Sequence, residues 1–127
     1  MDLYRYARYL LADQFQVNEV QPGLLCLMGP FCFGDGQFIE VYAREDNDGI
    51  ELVYYSGLAE ILTLEAIQRQ RDDAGRGAEF FKRKGLELHP DRLGTRTDRE
   101  RLLEHLIEFN DALRELDRRT REASIGI

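Results

Sequence analysis

Leu102, Leu106, Phe109, Leu113 and Leu116 recur at spacings of four, three, four and three, with Leu103 and Ile107 beside them. Only an α-helix brings positions at that period onto one side. Thr97-x-x-Glu100 stands ahead of the stripe. This is the pattern of a capping box, in which the hydroxyl accepts from an orphan amide and the glutamate reaches back. The spacing predicts a helix over 98–119, within a final segment of 97–121. A stripe this long has to be covered. It either closes the core of one domain or forms a seam between two copies, a homodimer through the C-terminal helix.

The rest of the chain supplies something for that helix to cover. Asp2 is placed to cap a first helix in which Leu3, Tyr6, Ala7, Leu10 and Leu11 share a face. Residues 16–20 read as a short strand, and Gln21-Pro22-Gly23 as a turn. Leu24–Met28 is an apolar run of strand length. Gly29-Pro30 interrupts it, because proline cannot donate to a ladder. Phe31-Cys32-Phe33 and the turn Gly34-Asp35-Gly36 follow. The segment 38–43 is mostly apolar on both faces, as in a central strand. Asp46-Asn47-Asp48-Gly49 is a hairpin turn leading into the strand Ile50–Tyr55. Beyond Gly57, Leu58 to Arg71 reads as helical with a break near Thr63. Ala78 to Lys84 is a short helix stopped by Gly85, and Leu86 to His89 a short edge strand. The fold class is therefore α+β. The chain of 127 residues forms a single domain: an N-terminal helix over 1–15, an antiparallel meander of three to four strands over 16–57, short helices and loops over 58–96, and the long helix packed on the sheet. With 43% apolar residues, such a chain buries a core without metal or disulfides and is not disordered.

Charge narrows the range of partners. The chain carries a net −7, and residues 1–68 hold eleven acids against three bases. The acidic half repels nucleic acid and attracts a basic protein surface. The second half is dense in arginine from Arg69 to Arg101, including Arg71, Arg76, Lys82 and Arg83. Arginine outnumbers lysine fifteen to two over the chain, which favours bidentate pairing with carboxylate or phosphate. No apolar run approaches the ~18 residues of a membrane span, and no basic-plus-apolar leader precedes the first helix. The expected setting is cytoplasmic, with Cys26 and Cys32 as free thiols.

No constellation for catalysis is evident. Asp46-x-Asp48-Gly49 resembles part of a calcium loop, but Arg44 and Tyr55 stand where the outer ligands belong. Glu104-His105 lacks a second histidine one turn on, and Gly34-x-Gly36 lacks the third glycine of a nucleotide fingerprint. The expectation is a non-enzyme with no cofactor, no metal site and no catalytic residue. Six tyrosines without a tryptophan point to recognition instead, since tyrosine offers apolar area and a hydroxyl at low entropy cost. The first candidate surface is the acidic hairpin with its aromatic neighbours: Glu45, Asp46, Asp48, Tyr54 and Tyr55. It suits a basic surface on a nucleic-acid-handling complex. The alternative is nucleic-acid binding by Arg69, Arg71, Arg76, Lys82 and Arg83. A second alternative is a metal-dependent enzyme using scattered acids such as Asp35, Glu40 and Glu51.

The order of blocks also carries a resemblance. Gly29-Pro30-Phe31, Gly34-Asp35-Gly36, the strand Ile39–Tyr42, an acidic turn and Leu52–Gly57 are similar to a bacterial and phage domain family of unknown function, over roughly residues 17–116. Tyr55-Ser56 stands where that family carries an acidic pair before the glycine. Because the family has no assigned activity, no catalytic residue carries over. Its association with mobile elements implies a setting of phage–host conflict, with an inhibitor of a host defence system as the expected role.

Overall fold

The computed structural model describes residues 1–55, 62–73 and 76–125. Helix α1 (Leu3–Leu11) is followed by strands β1 (Gln16–Gln21), β2 (Leu24–Cys32), β3 (Phe38–Asp46) and β4 (Gly49–Tyr55). Helices α2 (Leu64–Asp72) and α3 (Arg76–Lys84), strands β5 (Glu87–Leu88) and β6 (Arg92–Thr97), and helix α4 (Leu102–Ile125) complete the order. The fold is α+β, as the residue patterns require. The strands form one antiparallel sheet in the order β1-β2-β3-β4-β6-β5.

Local chemistry sets the elements. Asp2 caps α1, its Oδ1 accepting from the Arg5 amide at 2.9 Å. Thr63 caps α2 at the expected break, its Oγ1 accepting from the Ala66 amide at 3.2 Å. The part of the expected 58–71 helix that precedes Leu62 lies outside the described residues, as do Ser56 and Gly57. Gly85 ends α3 with φ +65°, the left-handed cap its position implied. In the β3–β4 hairpin the Asp46 carboxylate accepts from the Asp48 amide at 2.8 Å. Gly49 closes that turn at φ +127°, a conformation that side chains disfavour.

Three expectations need correction. Pro30 does not end β2, which runs on to Cys32; its pairing with β3 instead shifts register between Met28 and Cys32. Proline is tolerated there because a bulge needs no ladder donor. Gly29 sits in the same bulge with the Phe15 ring beneath it, where an added Cβ would stand 2.6 Å from a ring carbon. The meander over 16–55 has four strands and β5 is the expected short edge strand, but a sixth strand, β6, stands between β4 and β5 where only loop was expected. Strand β6 is a central one, yet Leu93 is its single aliphatic residue. Finally, Thr97 does not cap α4. It belongs to β6, where its Oγ1 lies 2.6 Å from His105 Nδ1, and Asp98 accepts from the Arg101 amide at 2.9 Å in its place. Helix α4 also runs past 121 to Ile125, carried by i,i+4 pairs such as Arg119–Glu115 and Arg118–Glu122 after the apolar stripe has ended.

The core lies on one side of the sheet. Leu25, Leu27, Ile39, Val41, Ala43, Ile50, Leu52, Tyr54 and Leu93 alternate inward along their strands. They pack with Leu3, Ala7 and Leu11 of α1, Ile67 of α2, Phe80 and Phe81 of α3, and the α4 stripe. The stripe residues Leu102, Leu106, Phe109, Leu113 and Leu116 are all 2% exposed or less. These five residues are spent on the core of this chain, which is the first of the two uses the stripe allowed; Leu103 and Ile107 beside them stay partly buried. Among the described residues no helix is long and apolar enough to cross a membrane.

Candidate functional site

The acidic hairpin is not the open patch its sequence implied. Arg99 on the approach to α4 grips Glu45 with both arms of its guanidinium, each nitrogen 2.7 Å from a carboxylate oxygen. That clamp holds the Glu45 carboxyl below its ordinary range. Arg96 of β6 reaches Asp46 at 2.6 Å. The Asp48 amide, and then Arg96, hold Asp46 low as well. Only Asp48 keeps a carboxylate without an arginine. Tyr54 is fully buried, its ring edge-on to Phe33 at 5.6 Å between centroids, and is withdrawn as a contact residue. Tyr55, one position on, points the other way and is 36% exposed.

The arginine-dense segment divides in two. Arg92, Arg96 and Arg99 are committed to acids of the sheet and hairpin. Arg69 and Arg71 on α2, and Lys82 and Arg83 on α3, are exposed and have no ion pair among the described residues. Arg83 lies over the Phe80 ring at 6.0 Å. The Arg76 side chain lies outside the described residues. Asp35, Glu40 and Glu51 do not converge. Asp35 sits in the β2–β3 turn near Arg121, while Glu40 and Glu51 stand on the sheet. Among the described residues no group of three or more His, Cys, Asp and Glu side chains is placed to hold a metal ion.

Tyr55 leads to a surface that sequence reasoning did not assemble. Among the described residues no helix packs on the sheet face opposite the core, and the cross-strand registers place its residues in rows. The middle row runs Asn18, Cys26, Tyr42, Val53, Gly94. On one side lies Leu24, Arg44, Glu51, Arg96. On the other lie Met28 and Glu40 on β2 and β3, with Tyr55 opposite Arg92 on β4 and β6. Cys26 and Val53 are buried here without touching the helices, because Tyr42 and Tyr55 lean over the face with their rings edge-on at 5.4 Å. Phe38, at the head of β3, is 55% exposed. Burial pushes the Tyr42 phenol and the Cys26 thiol up, with the nearby Glu40 charge adding to both. Cys26 is 8% exposed and packs beneath this face as a free thiol. Gly94 leaves a gap across which Arg92 reaches Glu51 at 3.5 Å. Leu24, Arg44, Glu51, Val53, Tyr55 and Arg92 surround a dent of about 180 Å³ at the centre.

A second concavity, of about 980 Å³, lies between the Pro30–Gly34 segment and α4. Asp117 is 2% exposed and pins the two walls together: its Oδ2 accepts from the Gly34 amide at 2.8 Å, and the Arg121 guanidinium meets it at 3.1 Å. Arg114 lies over the Phe31 ring at 5.8 Å. Most charged side chains of the wall are paired within the chain, with Arg118 held by Glu122 at 2.9 Å and Arg121 by Asp117 at 3.1 Å.

Compared with protein-family models, with curated proteins and with solved structures, the chain finds no match.

Proposed function

We propose that this chain is a non-enzymatic protein-binding module and that its contact surface is the uncovered face of the sheet. One observation carries the reading: that face presents Leu24, Met28, Phe38, Tyr42 and Tyr55 together, with the charged Glu40 and Arg44 set among them. Exposed aromatic and apolar anchors interspersed with a few charges are the chemistry of a protein contact. The acidic hairpin contributes less than its composition implies, because Arg99 and Arg96 have already met its charge. The phage–host setting implied by the resemblance fits a small module that blocks a larger machine by occupying one of its surfaces. A host defence complex is the proposed target.

Selection of random displayed peptides on the full chain tests the reading. Peptides that bind should shift amide resonances of β2, β3, β4 and β6, and should lose the chain when Phe38 and Tyr55 are both changed to Lys. Selected peptides that shift only α2 and α3, or no enrichment at all, would overturn it.

A second reading rests on the exposed cations of α2 and α3. Arg69, Arg71, Lys82 and Arg83, exposed and without an ion pair among the described residues, can meet phosphate, and such binding would weaken steeply with salt. Absence of a gel shift with single- and double-stranded DNA and RNA at low salt removes it.

A further inference from the structure

The uncovered face is self-complementary in its charges, and we infer that the partner it fits is a second copy of this chain. The inference rests on the protein-binding reading above and names the occupant.

Among the described residues, Glu40 and Arg44 on that face have no ion-pair partner. Arg44 stands directly across from Glu51 in the β3–β4 register, but the Glu51 carboxylate turns to Arg92 instead. Glu40 and Arg44 are of opposite sign and lie on one strand with Tyr42 midway between them. At roughly 3.3 Å per residue each stands about 7 Å from Tyr42, in opposite directions.

Two such faces can be laid together about a two-fold axis. Let the axis lie between the sheets and run across the strands along the Cys26–Tyr42–Val53 row. Each row then meets its counterpart from the opposite side. Glu40 comes over the Arg44 of the second copy, and Arg44 over its Glu40, so each orphan charge gains one partner and the pair forms twice across the axis. Leu24 comes over Met28, and the middle row meets itself at Cys26, Tyr42 and Val53, while its polar ends, Asn18 on β1 and Glu87 opposite Gly94 on β5, lie at the edges of the contact. Arg92 and Arg96, which the same operation brings toward each other, arrive already held by Asp91 and Glu51 and by Asp46. Face-to-face sheets sit about 10 Å apart with strands near −30°, an angle that keeps the central contacts and displaces the corners.

The size of the face sets the strength. Five strands at about 4.8 Å, with a length of roughly 20 Å, offer about 500 Å² per copy, short of the ~800 Å² typical of stable pairs. The dimer is therefore weak and exchanges readily, which leaves the face available to a different partner.

Sedimentation velocity over a concentration series tests this with the full chain. The wild type should show a concentration-dependent monomer–dimer equilibrium. Glu40→Arg or Arg44→Glu alone places like charges face to face twice and should weaken the dimer by about tenfold or more. Mixing the two variants, or combining both reversals in one chain, should restore it to near the wild-type value. Neither residue has an internal ion pair among the described residues, so both variants should fold, and circular dichroism checks that. A wild type that stays monomeric at every concentration overturns the second copy as occupant. So does a dimer unaffected by either single reversal. Neither result decides whether the face docks other proteins, which the peptide selection settles separately.

Discussion

Asp117 does two jobs with one carboxylate. It satisfies the Gly34 amide in the β2–β3 turn and anchors Arg121 one helical turn away. Replacing it with Ala strands that amide and leaves Arg121 with only a 3.9 Å contact to Asp35. The expected cost is about 2 kcal/mol, read from the urea midpoint. Glu45 makes a different prediction. Arg99 holds its folded pKa below the unfolded value. Its contribution is therefore fully present above the ordinary glutamate range, and is lost as pH falls through the depressed folded value. Glu45→Gln should be less stable than wild type at neutral pH and indistinguishable from it in strong acid. A difference that persists unchanged into acid would show that the clamp is not electrostatic. Neither role was visible in the sequence. Both depend on partners 83 and 54 positions away.

At the scale of elements, legibility followed local periodicity. Helix α4 was readable because Leu102 to Leu116 repeats within one segment. The hairpin was readable because Asp46 to Gly49 closes locally. Strand β6 was not, because Arg92-Leu93-Gly94-Thr95-Arg96-Thr97 offers one aliphatic residue. It is held by pairing with β4 along six positions rather than by its own composition. The displaced cap follows from the same fact, since a threonine claimed by a strand cannot also begin a helix. The open face was unreadable for a related reason: Cys26, Tyr42, Val53 and Gly94 become neighbours only once the register of four strands is known. The stripe itself admits a test of its use. Leu113→Ala should cost about 2–5 kcal/mol, and the loss should be equal in dilute and concentrated samples because the side chain packs within its own chain. A loss that grows with concentration would return the seam between copies.

At the scale of the molecule, the sequence pointed to an acidic surface and the fold moves attention elsewhere. Two of the hairpin acids, Glu45 and Asp46, are met by Arg99 ahead of α4 and by Arg96 of β6. Among the described residues, what stays uncovered is a sheet face with Tyr42 and Tyr55 on it, whose charges without an ion pair are Glu40 and Arg44. The account stands on that face doing the binding. The most direct measurement compares the affinity of one selected peptide for three forms of the chain: the wild type, a Phe38→Lys/Tyr55→Lys variant and an Asp46→Lys/Asp48→Lys variant. The account predicts that the sheet-face variant binds at least about tenfold more weakly while the hairpin variant stays within about threefold of wild type. The reverse order, with the hairpin reversal abolishing binding and the face variant unchanged, would contradict it.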